Sequence, residues 1–124
     1  MIENKTIPKP VLAVFEELKE QFEKTPEKHR NIFIKTKHKD ISTTYHHSLG
    51  RSIRNTCGLW TKEGDVYEYF KSINFRHPDD VSSVIIDAFH IWIKNKKFNF
   101  DLLAEKYRKH CEEHWKKCEE MPSL

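Results

Sequence analysis

The chain has 124 residues, a length that suits one domain around one core. It is 33% charged and 12% aromatic, too aromatic for a disordered chain. The net charge of +3, from 22 basic and 19 acidic residues, is too small to argue by itself for nucleic acid.

Taken in order, the chain reads as helices throughout. The opening MIENKTIPKP has no apolar signal core, and no apolar run is long enough to span a bilayer, so secretion and membrane insertion are not expected. Val11, Val14, Phe15, Leu18 and Phe22 recur at three and four, which predicts a helix over about 8–23 with Pro8 or Pro10 in its first turn. Thr25-Pro26-Glu27 reads as a second start, with Thr25 as the cap. In the short segment that follows, Ile32 to Ile34 also admits a single extended turn. Lys35 to Lys39 reads as an exposed basic connection.

A third helix is expected from Asp40 or Ser42, with Ile41, Tyr45, Leu49 and Ile53 each four apart, ending near Cys57 at a left-handed Gly58. Gly64-Asp65 begins a fourth, carrying Val66, Tyr69, Phe70 and Ile73. His77-Pro78-Asp79-Asp80 begins a fifth, faced by Val81, Val84, Ile85, Ala88, Phe89 and Trp92 and widened by Ile86, Ile91 and Ile93. A helix apolar over so much of its girth belongs at the centre. The β-branched VSSVII also permits a strand, but three-four spacing over the whole segment favours the helix. Asn99 caps a last helix over about 100–119, with Phe100, Leu103, Ala104, Tyr107, Cys111, Trp115 and Cys118 as its stripe. The expected fold is all-α, a compact bundle of five or six helices in a single domain, without internal repeats.

Charge is uneven along the chain. From Thr25 to Lys62 there are eight Lys/Arg against two acids, and from Glu63 to Ile93 six acids against two bases. Such blocks commonly pair with each other, and the basic one also suits an anion. Three cysteines, Cys57, Cys111 and Cys118, are an odd number; Cys111 and Cys118 lie two turns apart on one helix, too far for an easy bridge. A reduced, cytoplasmic chain is expected.

The stretch YHHSLGRSIRNTCGLW concentrates the polar chemistry. On a continuous helix, Tyr45, Leu49, Ser52 and Ile53 face the core, and His46, Gly50 and Arg54 form a stripe at its edge. His47, Arg51 and Asn55 form a wetter stripe further round. Glycine inside a helix costs about 1 kcal/mol relative to alanine, so Gly50 calls for a close approach by a backbone or a ligand. A groove floored by Gly50 between His46 and Arg54 suits a phosphate or carboxylate. The bland reading has the central helix crossing at Gly50, with Arg54 paired to an acid.

The acids of FRHPDDVSS are explained by a helix start, with His77 or its neighbourhood as cap and Asp79 and Asp80 beside free N–H groups. A metal or acid/base site would use the same His77, Asp79 and Asp80 with a histidine of the third helix. Ser82, Ser83 and His90 make no credible nucleophile arrangement. In HCEEHWKKC, Cys111, His114 and Cys118 share a face but lack a fourth zinc ligand, and Cys111 stands where HExxH needs glutamate, so no metal is expected. Trp92 reads as a core anchor; Trp60, just past a helix end, also suits a pocket wall or a stacking platform. No P-loop, Rossmann fingerprint, clear helix-turn-helix or basic helical stripe is present, so neither a cofactor nor a specific DNA motif is expected.

HHSLGRSIRN, GLW and HPDDVS, in that order, resemble a small domain family of unknown function from bacteria and their phages, whose pattern runs H-x-x-L-G-x-x-I-R-N-x-x-G-L-W, then Tyr-Phe, then H-P-D-D-[MV]-S. The matching positions are His46, Leu49, Gly50, Ile53, Arg54, Asn55, Gly58, Leu59, Trp60, Tyr69, Phe70 and His77 to Ser82, within about Tyr45 to Trp92. Cys57 stands where an aromatic is common and Val81 where methionine is. The resemblance carries no established activity. It implies that His46, Arg54, Asn55, His77, Asp79 and Asp80 form the family's signature, which favours their meeting in space.

The functional expectation is a non-enzymatic binding module for an anionic, phosphate- or nucleotide-like ligand. Arg51 and Arg54 would hold the charge, His46 and His47 would donate hydrogen bonds, and Trp60 would stack. The alternatives are a protein-interaction module, such as a homodimer, and a metal-dependent hydrolase built on the HPDD segment.

Overall fold

The computed structural model describes the backbone of residues 7–120 and the side chains of residues 7–113. Among the described residues the chain forms seven α-helices and one 3-10 turn, with no strand. The all-α expectation holds. The count of five or six helices is corrected to seven, because the segment from Ile41 to Cys57 is two helices and not one.

Helix α1, Lys9–Lys24, has a proline in its first turn and buries Val11, Phe15 and Leu18. Thr25 ends it in extended backbone, as a residue before proline must, and its hydroxyl donates back to the Gln21 carbonyl at 2.9 Å. The expected Thr25 cap on the second helix is therefore not formed. Helix α2, Glu27–Lys35, starts behind Pro26 with no side-chain cap. Ile32 to Ile34 is helical, with Phe33 buried and Ile32 exposed.

A 3-10 turn over His38–Asp40 leads into α3, Ile41–Thr44, and α4, Leu49–Thr56. The break between them has a local cause. The Gly50 N–H bonds the Tyr45 carbonyl, five residues back, at 2.9 Å. A bond of that span accommodates one extra residue in the turn. It also leaves the His46 carbonyl to a side chain, and Arg54 Nη2 donates to it at 3.1 Å. Helix α4 then closes on Gly58 at φ +67°, with Leu59 N–H on the Arg54 carbonyl and Gly58 N–H on the Asn55 carbonyl. This pairing satisfies two terminal carbonyls, and it needs the left-handed residue that glycine supplies most easily.

Helix α5, Asp65–Ser72, follows Gly64, and Asn74 in left-handed backbone (φ +70°) ends it. Helix α6, Pro78–Ile93, is the axis of the bundle: it packs against α1, α3, α4 and the last helix, while α5 packs on α1. It buries Val81, Val84, Ile85, Ile86, Ala88 and Phe89, each large aliphatic or aromatic side chain contributing about 1.5–3 kcal/mol. Helix α7, Phe100–Glu120, begins where the Asn99 carboxamide accepts the Leu102 N–H at 3.2 Å. It buries Phe100 and Ala104 against the bundle. The expected stripe positions Trp115 and Cys118 lie outside the described side chains, as does His114. Among the described residues no helix is long and apolar enough to cross a membrane.

Candidate functional site

Arg54 is buried, at 6% exposure, and its partners come from α6 and from the connection between α3 and α4. Nη1 donates to Ser82 Oγ at 2.9 Å, Nη2 to the His46 carbonyl at 3.1 Å, and Nε lies 3.4 Å from Asp79 Oδ1. Ser82 Oγ in turn donates to the Asp79 carbonyl at 3.0 Å. Gly50 is what lets the guanidinium lie flat on α4: a Cβ there would sit 2.8 Å from Arg54 Nη1. The stripe of His46, Gly50 and Arg54 thus meets the start of α6.

His77 caps α6, its Nδ1 accepting the Asp79 N–H at 3.0 Å. Asp79 Oδ2 lies 3.7 Å from His77 Nδ1 and 4.0 Å from His46 Nε2. The other expected residues sit apart from this cluster. The ring of exposed His47 meets His46 edge-on at 4.9 Å, and Arg51 and Asn55 are exposed on α4. Asp80 faces α7, where burial and then the Asp80 carboxylate push the Cys111 thiol up to about 12. Burial, with Glu17 adding, pushes the Cys57 thiol up to about 11. Ser52, expected to face the core, is exposed, because it borders a second cavity between the helices.

Beside the cluster, a cavity of about 380 Å³ opens between the loop after α4 and the α5–α6 connection. Its floor is Leu59, Phe70 and Val81. Trp60, 55% exposed, forms one wall and meets His77 edge-on at 5.8 Å. Lys62, Lys71 and Arg76 also line it, and no carboxylate does among the described residues. Lys71 Nζ lies 5.9 Å from the centre of the Tyr67 ring, also in the lining. The cavity is thus aromatic on its walls and cationic at its rim.

A second polar cluster lies deeper. His90 on α6 is fully buried and its Nε2 is 3.1 Å from the Phe33 carbonyl, which can only accept. Its Nδ1, 3.4 Å from His38 Nδ1, is then the acceptor of that contact. His38 Nε2 reaches Asp87 Oδ1 at 2.5 Å, and Tyr107 donates to Asp87 Oδ2 at 2.6 Å. Burial, followed by the Lys94 charge, lowers the His90 pKa; burial and the Asp87 hydrogen bond raise that of Tyr107.

A family model described as a domain of unknown function, DUF6794, matches residues 7–93. The chain belongs to this family. The match covers α1 to α6, so the DUF6794 domain contains the Arg54 cluster, the cavity beside Trp60, and both His38 and Asp87; Tyr107 lies beyond it on α7. Comparison with curated proteins and with solved structures yields no match. Sequence reasoning on this domain missed Ser82 as a partner of Arg54, the cations Lys62, Lys71 and Arg76, and the His38–Asp87–His90 group. A signal for the last was present: Asp87 and His90 are polar residues one turn apart inside the most apolar helix.

Proposed function

We propose that this domain is a non-enzymatic, cytoplasmic binding module for a nucleotide-like ligand, held in the cavity beside Trp60. The carrying observation is the combination in one cavity of an exposed indole, a second aromatic wall and the lysines Lys62 and Lys71, with no carboxylate in the lining among the described residues. A base stacks on Trp60 or Tyr67, and phosphate is held by Lys62 and Lys71. In this reading the charge is carried by these two lysines, while Arg54, His46 and Asp79 hold the wall through His77. His47, Arg51 and Asn55 are outside the cavity lining. In a bacterial or phage setting, such a module would sequester a nucleotide. A hydrolase built on HPDD has less support, because Asp79 faces Arg54 and Asp80 faces Cys111, and no group of three metal-binding side chains occurs among the described residues.

Thermal shift and calorimetry against nucleoside mono- and diphosphates test the proposal. At least one should raise the melting temperature, Trp60→Ala should weaken binding about tenfold or more, and Lys71→Gln should reduce its salt dependence. No stabilisation by any nucleotide, or binding indifferent to Trp60→Ala, would overturn it.

A further inference from the structure

We infer a second ligand site, apart from the cavity beside Trp60, built for a small apolar molecule with a carboxylate head, of the medium-chain fatty-acid type. A cavity of about 420 Å³, within the size range of small-molecule sites, lies where α1, α2, α4 and α6 meet. Leu18, Phe22, Phe33, Leu49 and Phe89 give it an apolar body. Arg30 is the cation in its lining, and no Asp or Glu lines it among the described residues. The Arg30 Nε is buried with no hydrogen-bond partner. A guanidinium N–H removed from water without an acceptor is costly, and the remedy is an acceptor brought in from outside.

The lining selects the ligand. One guanidinium in an otherwise apolar and aromatic cavity matches one negative charge on an apolar body. A planar carboxylate takes two parallel N–H bonds from such an edge, Nε and one Nη, after a small rotation of the half-buried side chain. A nucleotide fits this cavity poorly, because its phosphates would need more than one cation. The two sites are therefore separable in both chemistry and place.

Calorimetry with decanoate and with decanol, the same chain without the charge, tests the inference on the full-length protein. Decanoate should bind, and decanol should bind at least about tenfold more weakly. Arg30→Gln should remove the difference between them. Ser52→Trp, which fills the cavity from an exposed position, should block decanoate. Nucleotide binding beside Trp60 should be unchanged in both variants, so loss of one site is not read as loss of the other. Equal binding of decanoate and decanol, no binding of decanoate, or wild-type decanoate affinity in Arg30→Gln would overturn the inference.

Discussion

Gly50 and Arg54 act as one unit at the scale of single residues. A helix-interior glycine is replaced by alanine with a gain of about 1 kcal/mol when space allows. Here space does not allow it, because the new Cβ falls 2.8 Å from a guanidinium nitrogen already bonded to Ser82. Losing that charge-assisted bond costs about 1.5–3 kcal/mol, more than the propensity gain. Gly50→Ala is therefore expected to destabilise by about 0.5–2 kcal/mol in urea unfolding. Arg54→Ala costs more, about 2–4 kcal/mol, tempered because Asp79 keeps contact with water. In the Arg54→Ala background, Gly50→Ala should become stabilising, and that reversal is the measurement that establishes the coupling. The place of Gly50 beneath Arg54 was legible in the four-residue spacing, while the meeting of Arg54 with the HPDD aspartates was suggested only by the family resemblance. The role of Ser82 was not legible. Its hydroxyl matters through where α6 crosses α4, which spacing along one helix does not encode.

Among the elements, helix starts and stops followed local chemistry wherever proline, glycine or asparagine marked them. Pro10, Gly58, Pro78 and Asn99 all stand where the sequence places them. The break between α3 and α4 left no such mark, because Ile41, Tyr45, Leu49 and Ile53 keep their four-residue spacing straight through it. Its partner is Arg54, a residue further along the chain that reaches back to the His46 carbonyl. Helix α7 is tied to α6 by a second tertiary bond. Tyr107→Phe removes the donor to Asp87 Oδ2, on a side chain that is 10% exposed, and should cost about 1–3 kcal/mol by chemical unfolding. Tyr107→Leu would add a packing loss to that, so the phenylalanine variant isolates the hydrogen bond.

For the molecule as a whole, buried His90 makes stability depend on pH. The folded state lowers its pKa below 6.5, so between the two values the unfolded chain binds more protons and stability rises with pH. Its contribution is complete above about pH 6.5 and is lost as the pH falls through the folded value, with a slope of at most about 1.4 kcal/mol per pH unit. The groups facing it are His38, Lys94 and the Phe33 carbonyl, with Asp87 one contact further on. Urea midpoints compared at pH 7.5 and 5.5 should differ in the wild type, and less in His90→Gln, which keeps a donor for Phe33. At this scale the fold class and the central helix were readable from periodicity. The cavity beside Trp60 was not, because its cations come from one loop, one helix and one connection that only the packed bundle brings together.

The five-residue hydrogen bond at Gly50 has a further consequence. It works as a phase setting between the two halves of the chain: everything before Tyr45 and everything after Leu49 keep their relative orientation through one additional residue. Deleting that residue would mend the helix and at the same time turn α4 by about 100° against α3. Arg54 would then swing away from Ser82, and the Schellman turn carrying Trp60 would swing with it. An unbroken helix here is incompatible with this bundle, although the unbroken helix is the one the apolar pattern describes.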